Sequence, residues 1–164
     1  MGRQIKRSKN TDLAYIAGFL DGDGSVMFQM KKRKDNPKKR RIMFTICFYQ
    51  DTRHEKPIFW IRKILGIGYM SRRKDGITEL RINGYNQVGE ILESLLPYLK
   101  FKKKQVGYIL TALNILRKKK INQLSENEKK RMASVFVKAR KQSYKSGKKT
   151  EEKMKEDVEC ILNL

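Results

Sequence analysis

The stretch from Leu13 to Ser25, LAYIAGFLDGDGS, limits what this chain can fold into more than any other. It begins as a helix and ends in two aspartates set among glycines. Ala14, Gly18 and Gly22 recur every four residues and therefore line one helical face. Asn10 or Thr11 is placed to cap its start. A face of such small residues lets a second helix backbone come close, a geometry best documented in membranes but general in its sterics. Asp21 and Asp23 then fall at the helix C-terminus, where the dipole disfavours a carboxylate. A bound cation is the direct remedy. An EF-hand loop counted from Asp21 fails on its residues, because Val26 stands where glycine is required and Lys32 where a bidentate glutamate is required. DGDG by itself is also a common turn sequence.

The charge balance narrows the partners. There are 39 lysines and arginines against 17 acidic residues, a net charge of +22, which points to nucleic acid first and an anionic membrane second. No apolar run approaches the ~20 residues of a membrane span. MGRQIKRSKN at the start is basic without the apolar centre of a signal peptide. Cys47 and Cys160 make neither a disulfide framework nor a zinc spacing. His54 is the only histidine, so no mechanism or metal site needing two applies. The length of 164 residues suits one domain, 1–164, with a core over about 10–118 and a helical extension over about 119–164.

Along the chain, residues 1–10 read as a basic arm, either a solvated tail or a segment laid on phosphate. Ser25 to Arg33 alternates, with Val26, Phe28 and Met30 on one side and Met27, Gln29, Lys31 and Arg33 on the other. Lys34 to Lys38 is a turn cluster. Arg41 to Tyr49 alternates again, with Ile42, Phe44, Ile46 and Phe48 against Arg41, Met43, Thr45, Cys47 and Tyr49. Such a two-stranded ribbon has one apolar face and one polar, basic face, and it fits the DNA major groove; an ordinary solvated face is the plainer alternative. Pro57 opens a second helix through Ile58, Ile61, Ile64 and Leu65, with Gly66 after it. Tyr69 to Lys74 and Thr78 to Asn83 form a hairpin about a two-residue Asp75-Gly76 turn. Ser71, Arg73, Glu79 and Arg81 are the candidates for its groove face. Asn86 is placed to cap a third helix, Gln87 to Leu96, stopped by Pro97. A lysine run, Lys100, Lys102, Lys103 and Lys104, precedes a helix reaching about Lys118. Ser125 and Glu128 match a capping box for a helix to about Ala139. Lys141 to Lys149 reads as a linker and Glu151 to Leu162 as a last helix.

Leu13 to Ser25 closely resembles the signature helix of the LAGLIDADG homing endonucleases, in the single-motif, intron-encoded type. The likeness continues more weakly to Gln105 in the order and length of the elements. It implies an α+β fold with an αββαββα core, a saddle-shaped antiparallel sheet over DNA and extra C-terminal helices. It implies a homodimer, since the signature occurs once, with Leu13, Ala14, Ala17, Gly18 and Asp21 at the interface. It implies hydrolysis of one phosphodiester per strand of a long pseudo-palindromic double-stranded DNA site, with Mg²⁺ or Mn²⁺ held by Asp23 and the carbonyl of Gly22. Gln50 and Lys102 match peripheral active-site residues that order water and stabilise charge. His54 stands where relatives often carry arginine or lysine; a histidine keeps a donor with less charge at neutral pH. Gln29, Lys31, Arg33, Arg41, Met43, Thr45, Cys47, Ser71, Arg73, Glu79 and Arg81 are the expected DNA contacts. The likeness also implies an organelle genome product, with no membrane partner. The competing readings are an RNA-splicing maturase or a non-cutting binder of the same fold, and a basic structural RNA-binding protein with a fortuitous DGDG.

Overall fold

In the computed structural model residues 9–33, 35–36, 40–143 and 148–163 are described, with the backbone alone for 148–150. The expected basic arm lies outside the described residues up to residue 8, as do residues 34 and 37–38 of the turn cluster and 144–147 of the linker. The elements run α1 (Asn10–Asp23), β1 (Gly24–Lys32), β2 (Arg40–Asp51), a 3₁₀ turn (Thr52–His54), α2 (Lys56–Leu65), β3 (Tyr69–Arg72), β4 (Ile77–Asn83), α3 (Tyr85–Leu95), α4 (Lys103–Lys118), a second 3₁₀ turn (Ile121–Gln123), α5 (Glu126–Lys141) and α6 (Lys148–Leu162). This is the expected α+β order, αββαββα followed by three further helices.

The chain forms two compact units, and the division falls within β1 and β2. The first comprises residues up to Met27 and Phe44–Phe101. Its antiparallel sheet has the strand order β1-β2-β4-β3. The register of β2 on β4 sets Ile46 opposite Ile82 and Phe48 opposite Leu80, so these four share one face, and all are buried. Ile16 and Leu20 of α1, Ile58 and Ile61 of α2, and Leu92 and Leu95 of α3 complete the core. Helices α2 and α3 both contact β4, and α1 contacts α3. The second unit, Phe28–Met43 and Lys102–Leu164, stacks α4 on α5 and α5 on α6. Phe28 meets Phe136 edge to face at 4.9 Å, and Arg40 reaches Asp157 of α6 at 2.7 Å. Ser125 caps α5 as expected: its hydroxyl accepts from the Glu128 amide while Glu128 accepts from the Ser125 amide.

Local chemistry departs from the sequence reading in three places. Neither Asn10 nor Thr11 caps α1; Asn10 is already helical, and Lys9 precedes it without a side-chain cap. Asn86 likewise lies inside α3, which starts at Tyr85, whose ring packs on Phe44 at 5.5 Å. The β3–β4 turn is not a two-residue one. A type I′ turn needs positive φ at both central residues. No described residue but glycine has it, and Gly76 alone in this turn does, at φ 78°. The Arg73 amide donates to the Ile77 carbonyl and the Gly76 amide to the Arg73 carbonyl, giving a three-residue loop, 74–76.

Candidate active site and nucleic-acid interface

The two aspartates at the end of α1 have different surroundings. Asp21 is buried, and its Oδ2 accepts from the backbone amides of Lys100 at 2.6 Å and Phe101 at 3.2 Å. Asp23, the last residue of the helix, is exposed, and no described residue bonds its carboxylate. The last turn of α1 carries no basic residue. The loop amides therefore relieve the charge of Asp21, while that of Asp23 is left for a ligand. The carbonyls of a helix's last turn have no intrahelical amide to accept from, so the Gly22 carbonyl is a candidate second oxygen donor beside Asp23. Gly24 permits the abrupt change into β1: a Cβ there would lie 2.9 Å from both Cα and O of Leu20. No group of three or more His, Cys, Asp or Glu side chains suited to a metal occurs among the described residues. One chain thus supplies a site of few hard oxygen donors, the kind that suits a divalent cation whose shell other ligands complete.

The small-residue face of α1 is open. Ala14, Gly18 and Gly22 are exposed, and a Cβ at Gly18 or Gly22 would meet nothing within 4 Å. Two residues expected at the dimer interface turn inward instead. Ala17 is fully buried with Ile16 and Leu20, and Asp21 is spent on the loop. The 100° step of the helix carries 16, 17, 20 and 21 to the core side, with Leu13 in line with them and half-buried in the first turn, and leaves Ala14 and Gly18 exposed.

Gln50 lies near the end of β2, opposite Thr78. Its Oε1 accepts from the Asp51 amide at 2.8 Å. Ser25 and Tyr49 share a hydrogen bond at 3.0 Å, which ties the strand leaving Asp23 to the residue before Gln50. Tyr49 was not singled out from the sequence, although its place beside Gln50 on the polar face was the available signal. Burial pushes its phenol up to about 12. His54 ends the 3₁₀ turn, exposed. Asp51 caps that turn and pairs with Arg53, whose hydrogen bonds hold the carboxyl far below the usual range. Asp23, Gln50 and His54 make no hydrogen bond to one another. Next to His54 in the chain, Glu55 accepts from Arg72 and Thr78, which bring it down to about 2. In the second unit Lys102 stands half-buried at the N-cap position of α4, ahead of exposed Lys103 and Lys104.

The polar face of the sheet is only partly open. Arg41, Lys31 and Arg73 are exposed, and Gln29, Met43, Ser71 and Arg81 are half-buried. Arg33 pairs with Asp35 and Arg73 with Asp75. Three expected contacts are covered by their strand neighbours. Thr45 is fully buried and bonded to Asn83 at 2.7 Å. Cys47 is fully buried and near Glu79, and burial pushes its thiol up. Glu79 itself is buried against Arg81. These three do not present a group to a groove.

Comparison with known proteins agrees with this geometry. The profile of the LAGLIDADG endonucleases matches residues 16–115. DNA endonuclease I-CvuI of Chlorella vulgaris is 34% identical over 103 residues, 63% of this chain and 64% of that enzyme. DNA endonuclease I-CreI of Chlamydomonas reinhardtii is 29% identical over 104 residues, 63% of each. The match thus spans less than two thirds of either enzyme. A crystal structure of I-CvuI in complex with the I-CreI target superposes with a TM-score of 0.72 at 25% identity, over 92% of this chain and 98% of that one. An archaeal intron-encoded homing endonuclease complexed with DNA gives 0.73 at 19% identity, over 94% and 96%, a likeness of fold. With its signature helix, its αββαββα order and a profile match over most of that core, the chain belongs to the LAGLIDADG endonuclease family.

Proposed function

We propose that this chain is a homing endonuclease that binds a long, pseudo-palindromic double-stranded DNA site as a homodimer and cuts each strand once. The observation that carries the reading is the exposed, unpartnered carboxylate of Asp23 at the end of a helix with an open small-residue face, beside an Asp21 that the fold itself has engaged. A regulator that kept only the fold has no use for that free carboxylate.

Asp23 and the Gly22 carbonyl are the residues that would hold a divalent cation, together with oxygens from the DNA. When bound, such an ion polarises the phosphate and makes a water more acidic. Asp23 keeps a second carboxylate oxygen that could accept a hydrogen bond from that water. Gln50 keeps an amide N–H₂ able to hold the water in line. Lys102 stabilises the negative charge that grows on the phosphate, and His54 supplies a ring N–H donor. Leu13, Ala14 and Gly18 bring two α1 helices together so that both Asp23 groups meet one duplex. Gln29, Lys31, Arg33, Arg41, Met43, Ser71, Arg73 and Arg81 supply the contacts to bases and backbone. The expected source is an organelle genome, supported by the likeness to the two algal enzymes.

The test is selection of cleaved sites from a randomised duplex library in Mg²⁺. The reading requires a cut, palindrome-like consensus from the wild-type protein and none from Asp23→Asn, with binding of the consensus kept. Cleavage of RNA alone, or equal cutting by both proteins, would overturn it.

A further inference from the structure

Arg81 sits opposite Cys47 of β2 and Tyr69 of β3, and Glu79 sits opposite Tyr49 and Ser71, so all six share the polar face. Glu79 is 7% exposed. A carboxylate removed from water is costly unless it is hydrogen-bonded. Its Oε1 accepts from Arg81 Nε at 2.5 Å and from Cys47 Sγ at 3.7 Å. Arg81 keeps 36% of its side chain exposed, and no described residue accepts from its Nη1 or Nη2. A guanidinium presents its five N–H groups in one rigid plane. With Nε committed to Glu79, the end bearing both Nη groups is left for a ligand. Two parallel N–H donors match O6 and N7 of guanine in the major groove.

We propose that Glu79 is a positioning residue: it lies too deep to touch a base, and it holds Arg81 end-on to read one guanine in each half-site. The inference rests on the reading that this sheet face binds duplex DNA. A guanidinium already fixed by a carboxylate loses less freedom on binding, so the preference for guanine depends on Glu79 as well as on Arg81. Lysine in place of Arg81 carries its three donors on one nitrogen, with no fixed plane that could be held at one edge while another edge reads a base.

The experiment challenges the wild type, Arg81→Ala, Glu79→Met, Glu79→Gln and the Arg81→Ala/Glu79→Met double variant with duplexes carrying each of the four bases at every position of the selected site. Methionine keeps the buried volume without a strong acceptor, while glutamine keeps an acceptor. Preference is a ratio between bases within one sample, so it does not depend on the fraction of protein that is folded. Arg81→Ala should erase a guanine preference on the order of ten- to a hundredfold at one symmetry-related pair. Glu79→Met should cut the same preference by roughly fivefold or more, Glu79→Gln should restore part of it, and the double variant should match Arg81→Ala alone. A wild-type profile in Glu79→Met, a change at a different base pair, an additive double variant, or a uniform loss over all bases in Arg81→Ala would each overturn the assignment. If the wild type selects no site at all, the proposed function falls and this inference with it.

Discussion

Replacing Asp21 and Asp23 one at a time by asparagine should separate stability from cleavage. The Lys100 and Phe101 amides both donate to a single oxygen of Asp21, at 2.6 and 3.2 Å. The asparagine oxygen can accept both, but as a neutral group. A hydrogen bond to a charged partner contributes about 1.5–3 kcal/mol against about 0.5–1.5 for a neutral pair, a loss of about 1 kcal/mol per bond. Removing a negative charge from the helix C-terminus offsets about 0.3–1 kcal/mol of this. Asp21→Asn should therefore destabilise by about 1–2 kcal/mol, a fall in Tm of about 2–8 °C for a chain of this length. Asp23 has no described partner to lose, so Asp23→Asn keeps only the dipole gain and should melt at or up to about 4 °C above the wild type. Its cleavage should vanish on the proposed reading, because the negative charge with which the carboxylate would hold a divalent cation is gone. The assay is a thermal melt of each variant with single-turnover cleavage of the selected duplex. An Asp21→Asn protein with an unchanged Tm, or an Asp23→Asn protein that melts low or still cuts, would refute the division of roles.

Gly18→Leu should leave the monomer folded, since a Cβ at Gly18 meets nothing within 4 Å and leucine favours a helix over glycine by roughly 1 kcal/mol; light scattering should show monomers, and an active dimer would place the interface elsewhere. Lys102→Met should slow cleavage of pre-bound DNA with little change in affinity, whereas Lys103→Met or Lys104→Met should flatten the log K against log salt slope by about 2 × 0.9 in a dimer; normal cutting by Lys102→Met would reduce Lys102 to part of the basic patch. Glu55, held down to about 2 chiefly by the hydrogen bond from Arg72, contributes stability that is present above its unfolded value near 4.5 and lost as the pH falls toward 2. Urea melts of Glu55→Gln should show a shallower loss over that window than the wild type, and identical slopes would refute the pairing.

The elements were legible where one periodicity ran without interruption. Val26, Phe28 and Met30 and then Ile42, Phe44, Ile46 and Phe48 are all buried, as their alternation required. The breaks came where a distant contact outweighed a local preference. Asn86 is a good N-cap by type, yet the ring of Tyr85 packs on Phe44, about forty positions away, and starts the helix earlier. In the β3–β4 turn Asp-Gly promised two residues, but Arg72, Arg73 and Lys74 had already broken the alternation, and only the glycine takes positive φ. Alternation also assigned Thr45, Cys47 and Glu79 to the correct face without telling that their neighbours would cover them. Whether a polar side chain on a sheet face is open depends on the length and pairing of the residues across the ladder, here Asn83 and Arg81.

The acidic pair shows the same limit at the site itself. Two steps along a helix turn a side chain by about 200°, so Asp21 and Asp23 had to face different surroundings, and that much could be read in advance. Which of them the fold would keep was decided by the Lys100 and Phe101 amides, 79 and 80 positions on, in a segment whose sequence reads only as lysine-rich. Two acids at a helix C-terminus repel each other and the dipole alike. Engaging one of them with backbone amides lowers that repulsion without using a cation, and it leaves the other carboxylate exposed at the helix end. The loop that anchors Asp21 is therefore part of what makes Asp23 available, and a weakened loop should cost stability before it costs chemistry.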